Sequence, residues 1–391
     1  EGEGEEALRE QRRASGRGRH RSRRRTGGQP VAEEGETGGS SAGSEGSYKV
    51  CPSTVNASIP TLEGLSLGLG KGMTWEDVFI TRLNHDRLLH HQFAISPASV
   101  HWLPPSADEL ISNYRWRSCA AVGNSGGLRS AEFGGAINSH DLVLRANQAP
   151  TFGYERLVGS KTTFRILNKS WTAAYAAARF KSQGLPMERS VSLVITRSTG
   201  KEFDRLTRYL KNYRVDVSVL YLSSRVVSMV RALLLAYRVR LCASGRGPYD
   251  GGAVPSSGLV AVLILTQLCQ RVTLYGYGHD HPSASEALAA TSADGAGRAA
   301  EVPYHYFVGN GARRAGVSVH SWHAEEMLLH QLHREGRVTF CRPDFRGRAN
   351  PVATVNNRFC GLNPFLDSDA RARWMERHSV KAEEDADVAQ R

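Results

Sequence analysis

The sequence predicts an α/β fold, with one mainly parallel, twisted sheet carrying helices on both faces. Three observations predict it. At 391 residues and 40% hydrophobic content the chain can bury a real core. From Ser118 onward, apolar runs of strand length alternate with helical patterns, and such alternation makes a parallel sheet joined by crossover helices. The run "CAAVGNSGGLRS" at 119–130 passes from a buried strand through a glycine turn, and ligands of such sheets sit at the carboxyl ends of the strands.

The elements follow in chain order. Residues 1–47 hold glycine, glutamate, serine and arginine with almost nothing to bury, which predicts a disordered tail. Its run "RGRHRSRRR" suits a nucleic acid or a membrane surface, but a solvated tail is the expected reading. Residues 48–110 read as a stem-like, N-terminal helical segment. In it Thr74 and Asp77 form a capping box for a helix to about His90, with Trp75, Val78, Phe79 and Leu83 near one face. A Pro- and Ser-rich joint at 96–106 leads to the main domain, 111–375. There "CAAV", "DLVLRAN", "TTFRIL", "SLVIT", "DVSVLYL", "RVTLYGYG" and "GVSVHS" read as strands. Helices are predicted at about 172–182, 201–213, 224–238, 258–269 and 322–334. The Ala-, Gly- and Ser-rich segment 283–301 reads as a lid or as an insertion without function, and 376–391 as a charged disordered tail.

The formal charge of +12 does not come from the tail, whose nine Arg and nine Glu cancel. A basic folded region suits an anionic small ligand. Helix-turn-helix, zinc-finger and aromatic-platform patterns are absent, so no nucleic-acid partner is expected. No run reaches the roughly 18 apolar residues of a membrane span. The chain begins at Glu1 rather than methionine, so an anchor or signal is expected to lie upstream of it. The six cysteines lack C-x-x-C spacing, which argues against zinc, and their even number is compatible with disulfides in an oxidising compartment. Asn56-Ala57-Ser58 and Asn168-Lys169-Ser170 permit N-glycosylation.

Four short constellations carry chemistry. The first is the glycine turn with Asn124 and Ser125, completed by "HDLVLRANQAPT" with Arg145, Asn147, Ala149 and Pro150. Its backbone N–H groups suit an anion, while its letters also fit a nucleophile elbow with Ser125 at the tip. Ser125, Asp280 and His320 satisfy the chain order of an α/β-hydrolase, but that reading gives "RANQAP" and "PSSG" no role. The second is "VPSSGLVAVLILTQLC", where Ser256, Ser257 and Gly258 start a very apolar helix. The third and fourth are "PYHYF" at 303–307 and "VHSWHAEE" at 319–326, whose histidines suit proton transfer. No metal site is expected. His279-Asp280-His281 sits in a loop beside Pro282, and the D-x-D patterns at 367–369 and 385–387 lie outside the alternating region.

Together the four resemble the animal-type sialyltransferases, glycosyltransferase family 29, which use CMP-sialic acid. The large sialylmotif resembles 119–166 and the small one 255–278; motif III resembles "HYF" at 305–307, and the very small motif, H-x4-E, resembles His320 to Glu325. The resemblance spans about 110–340 and implies a Rossmann-like, GT-A-like variant fold and a lumenal Golgi enzyme. It implies inverting, metal-independent transfer of sialic acid to a galactose-type hydroxyl on a glycoprotein or glycolipid, with no cofactor. It places CMP-sialic acid on Asn124, Ser125, Asn147, Ser256, Ser257, Gly258, Gly276 and Tyr306, with His305 at the departing phosphate and His320 as general base. It pairs Cys119 with Cys269; for Cys51, Cys341 or Cys360 is the expected partner. Val308 departs from the acidic or amide residue usual after "HYF". "GNSGG" and "NQAPT" lean to the α2,3 branch, "HDLVLR" and "KTTFRILN" to the α2,6 branch, so the linkage stays open. Another CMP-activated ulosonic acid such as Kdo, and a non-catalytic nucleotide-sugar binder, are the alternatives.

Overall fold

The computed structural model describes residues 50–65, 74–89, 93–113, 116–130, 132–177, 185–277, 305–307 and 319–341. Eight strands form one sheet: β1 Phe79–Ile80, β2 Trp116–Val122, β3 Leu142–Ala146, β4 Phe164–Leu167, β5 Ser192–Ile195, β6 Ser218–Leu222, β7 Cys269–Tyr275 and β8 Thr339–Phe340. Their order is β1-β6-β5-β4-β3-β2-β7-β8, and every pair is parallel except β1 with β6. The chain winds outward from β2 to β6 and then returns to place β7 on the other side of β2. The order therefore reverses between β2 and β7, where Ala121 faces Leu144 on one neighbour and Leu274 on the other. Such a reversal opens a crevice at the carboxyl ends, where open α/β sheets bind ligands.

Five helices of eight residues or more are found among the described residues: α1 Lys169–Ala176, α2 Gly200–Tyr213, α3 Ser224–Ala243, α4 Ser257–Leu268 and α5 Trp322–Arg334. Successive strand side chains point to opposite faces. Cys119, Ala121, Leu142, Leu144, Phe164, Ile166 and Val194 pack with α3, α4 and α5. On the other face Leu167, Leu193, Ile195, Val219 and Tyr221 pack with α1 and α2, and Ala120, Val122 and Val143 with the turn of helix at Gly134–Asn138. The sheet is thus covered on both sides. Helix α4 needs no polar face, because Leu259 through Leu265 are all buried.

Several elements differ from the expectation. The capping box at Thr74 and Asp77 is present, but its helix stops at Val78. Phe79 and Ile80 then pair with Leu222 and Tyr221 of β6, and Leu83 is 78% exposed. Asn84 fixes the break: its Oδ1 accepts the Thr81 N–H, and its Nδ2 donates to the Glu76 and Phe79 carbonyls. Sheet pairing has overridden the helical pattern. Helix α1 starts at Lys169, three residues earlier than predicted, because Asn168 caps it. The strand predicted at 316–321 lies largely outside the described residues, and its described end at Val319 and His320 is a bend. The tails 1–47 and 376–391, the segment 283–301, residues 279–281, Val308 and Cys360 also lie outside them.

The Cys119–Cys269 disulfide links the two strands flanking the crevice, with Cα atoms 6.1 Å apart. Cys51 pairs with Cys242, not with Cys341 or Cys360, at a Cα separation of 4.9 Å. The reason is that the segment holding Cys51 runs along α3. Tyr237 donates to the Pro60 carbonyl, Arg240 to that of Thr61, and Arg246 to those of Asn56 and Ala57. Cys341 is also disulfide-bonded.

Candidate active site

The crevice is built where the turns after β2 and β7 are laced together. Gly123 donates its N–H to the Tyr275 carbonyl at 2.8 Å, and Ser125 donates to that of Gly276 at 3.3 Å. No side chain fits between them: a Cβ on Gly123 would lie 2.2 Å from the Gly276 oxygen. Gly276 has a φ of +65°, a left-handed conformation that suits glycine. Asn124 ends up with its Oδ1 buried and without a hydrogen-bond partner among the described residues. A buried acceptor left open in this way is uncommon, and a ligand N–H or O–H would satisfy it. Ser125 Oγ accepts the Gly127 N–H at 3.1 Å and so caps the 3-10 turn Gly126–Ser130.

His305 enters this turn from the far end of the chain. It forms a β-bridge with Ser125, and Tyr306 N–H donates to the Asn124 carbonyl at 3.1 Å. Tyr306 is fully buried; its hydroxyl reaches the Pro150 carbonyl at 2.6 Å, and burial pushes its pKa far up. That bond ties "HYF" to the loop after β3. Asn147 in that loop holds a φ of +52°, and its Oδ1 accepts the Asn168 N–H after β4 at 3.1 Å.

Helix α4 runs back along β7, so its N-terminus lies at the carboxyl edge. Tyr277 bridges the two parts: Cβ atoms added at Gly123 and Gly258 would meet its ring at 3.3 and 3.1 Å. Ser256 is the N-cap, its Oγ accepting the Leu259 N–H at 3.1 Å. Its own N–H and hydroxyl donate to Glu325 of α5. The donor groups of Ser256 are therefore committed. At this helix start the N–H groups of Ser257 and Gly258 have no partner among the described residues and form the positive end of the helix dipole. Glu325 is buried, and burial pushes its carboxyl up to about 7 against the pull of the two Ser256 bonds.

His320 precedes α5. Its Nδ1 lies 2.7 Å from the Val254 carbonyl, so that nitrogen carries the proton of the hydrogen bond and Nε2 is the basic atom. Burial lowers its pKa below the usual histidine value, which keeps the ring neutral near pH 7; Arg197 adds to the lowering, and the Val254 bond opposes it. Three polar contacts and two close approaches hold it. Val254 N–H donates to the Val319 carbonyl, Ser321 Oγ donates to that of Asp250, and Cβ atoms on Gly251 and Gly252 would lie 2.0 and 2.5 Å from the His320 and Val319 oxygens. Its neighbour His323 is exposed, 4.0 Å from Glu326.

Residues 75–337, more than half of the chain, match the model of glycosyltransferase family 29 (sialyltransferase). The chain belongs to that family. A relative in Gallus gallus named CMP-N-acetylneuraminate-beta-galactosamide-alpha-2,3-sialyltransferase 1 is 32% identical over 186 residues, covering 46% of this chain and 49% of that protein. A Mus musculus relative named for alpha-2,6-sialyltransferase is 25% identical over 244 residues, covering 59% of this chain and 63% of that protein. The chain spans about half the length of the curated relatives it matches first. A solved mammalian sialyltransferase in complex with Gal-beta-1-3GalNAc-ortho-nitrophenol aligns with a TM-score of 0.40 and 19% identity, covering 74% of this chain and all of that one.

The carboxyl edge of the sheet and its supports also contain residues that the sequence did not point to. Arg165 on β4 is fully buried; it pairs with Glu188 and donates to the Asn147 and Ala149 carbonyls at 2.7 and 3.1 Å. Glu188 is held below the usual carboxylate range by Arg165, despite its burial, and also accepts from Thr162. Arg238 on α3, 2% exposed, donates to the Tyr249 and Gly252 carbonyls and so steadies the loop that holds His320. Only the glycine pair in "YDGGAVPSSG" hints at that loop in the sequence. No group of three or more His, Cys, Asp or Glu able to hold a metal occurs among the described residues.

Proposed function

We propose that this chain moves sialic acid from CMP-sialic acid to a hydroxyl of a galactose-type glycan, with inversion. The acceptor oxygen attacks the anomeric carbon, the bond from that carbon to the phosphate oxygen breaks, and CMP leaves. His320 Nε2 takes the proton from the attacking hydroxyl. The Ser257 and Gly258 N–H groups and the α4 dipole face the donor's anionic groups, and His305, bridged to Ser125, stands at the departing phosphate. Asn124 offers its open Oδ1 to the nucleotide, while Asn147, Gly276 and Tyr306 shape the cleft. Ser256 acts here through Glu325 and the helix cap. These donors carry the phosphate's charge, so the proposed reaction uses no metal and no cofactor.

One observation supports this reading above the rest. The chain belongs to the family, and its fold fixes a neutral, oriented imidazole beside a helix start whose N–H groups suit an anion. The hydrolase alternative gains nothing comparable, since Ser125 Oγ serves as a cap. The oxidised cysteines fit lumenal Golgi residence, acting on glycoproteins or glycolipids. Among the described residues no helix is long and apolar enough to cross a membrane.

Incubation with CMP-sialic acid or CMP-Kdo and a panel of galactosides tests the proposal, reading CMP release and product linkage. Transfer from CMP-sialic acid that is lost in His320→Ala supports it. Nucleotide binding without CMP release on any acceptor favours the non-catalytic alternative, and transfer only from CMP-Kdo reassigns the sugar.

A further inference from the structure

The sequence holds two N-x-S/T triplets, at Asn56 and Asn168, and the fold treats them in opposite ways. Asn56 is exposed. Its Oδ1 accepts both the Ser58 N–H at 2.9 Å and the Ser58 hydroxyl at 3.0 Å, closing an Asx turn. With both bonds on the oxygen, Nδ2 has no hydrogen-bond partner among the described residues. The hydroxyl bond draws electron density toward Oδ1 and makes the Nδ2 proton easier to lose. The backbone beneath is pinned by the Cys51–Cys242 disulfide, by Asn56 N–H to the Ser244 carbonyl at 2.9 Å, and by Arg246 on the Asn56 and Ala57 carbonyls. Residues 52–58 therefore project outward as one exposed stretch.

The Asn168 side chain is already in use. Its Oδ1 accepts the Trp171 N–H at 3.0 Å as the cap of α1, and the backbone N–H of Asn168 donates to Asn147 Oδ1 at 3.1 Å. A bulky group there would sit against Asn147, at the carboxyl edge of the sheet.

We propose that Asn56 is a site of glycan attachment and that Asn168 is not. Asn56 Nδ2 attacks the anomeric carbon at the reducing end of an oligosaccharide carried on a lipid diphosphate. The N–C bond forms, the bond from that carbon to the diphosphate oxygen breaks, the Nδ2 proton passes to the transferring enzyme's base, and the lipid diphosphate leaves. The Asx turn spans only two residues, so the emerging chain can form it before the fold is complete. The proposal rests on the lumenal reading given above, because the lipid-linked donor is met on the secretory route.

The test is made on the full-length protein expressed in mammalian cells. Amidase removal of N-glycans in heavy-oxygen water is followed by peptide mapping, with the cysteine pairing read in parallel. Labelled Asp is expected at position 56 and unmodified Asn at 168. Asn56→Gln and Ser58→Ala should each abolish the mobility shift on deglycosylation, and Asn168→Gln should leave it in place. An unmodified Asn56 in protein whose Cys119–Cys269 bond is formed overturns the site alone. An unmodified Asn56 with Cys119 free overturns the lumenal reading as well. A shift that survives Asn56→Gln and disappears in Asn168→Gln reverses the assignment.

Discussion

Glu325 offers a direct test of how the α4 helix start is held. Burial raises its carboxyl from 4.5 to about 7, so between those values the folded chain keeps a proton that the unfolded chain has released. Stability from this group is fully present below pH 4.5 and is lost as pH rises through about 7. At 1.36 kcal/mol per pKa unit the loss comes to about 3 kcal/mol. For a domain of this size that corresponds to roughly 6–12 °C in Tm. Glu325→Gln keeps an oxygen for the Ser256 N–H and removes the titration. Thermal unfolding of both proteins from pH 5 to pH 8, with disulfides intact, measures the difference. The wild-type Tm should fall relative to the Gln variant by that amount across the range. Parallel curves would falsify the raised Glu325 pKa and leave the Ser256 contact as a buried hydrogen bond that does not titrate in this range.

Three further outcomes are expected. His320→Ala should lower turnover by roughly 10²–10⁴-fold with CMP affinity little changed, while exposed His323→Ala stays near wild type; equal losses in both would remove the assignment of the base. Because burial lowers the His320 pKa, the acid limb of kcat/KM should fall below pH 6.5, the ordinary histidine value, and a midpoint above it would contradict a neutral, buried base. Glu188→Ala strands the Arg165 guanidinium in the interior and should cost about 3–5 kcal/mol, read as a fall in the denaturation midpoint; an unchanged midpoint would mean that water reaches the pair.

The sequence made the sheet legible where each strand was short, apolar and closed by a turn residue. Six of the eight strands, β2 to β7, were marked in this way, and the two missed were β1 and β8, of two residues each. Two-residue strands carry no periodicity of their own. Phe79 and Ile80 sit inside a helical pattern and become a strand only because β6 offers an edge. Pairing of Cys51 was equally hidden, since it depends on a segment lying along α3 through side chain to carbonyl bonds that any sequence can make. The glycine turns were visible for a physical reason: Gly123 and Gly276 occupy positions where a Cβ has no space.

What escaped the sequence is the support beneath those turns, and it follows one pattern. Arg165 and Arg238 act on backbone carbonyls, gripping Asn147 and Ala149 in one case and Tyr249 and Gly252 in the other. A guanidinium directed at carbonyls leaves no signature in its partners, because every residue has a carbonyl. The consequence for catalysis is indirect but specific. Arg238 fixes the loop 249–252, and Gly251 and Gly252 of that loop press on the His320 and Val319 carbonyls. Val254, two residues further on, then fixes the His320 tautomer. The orientation of the proposed base is thus set from α3, about eighty residues away along the chain, by contacts that involve no side chain of the sialylmotifs except His320 itself.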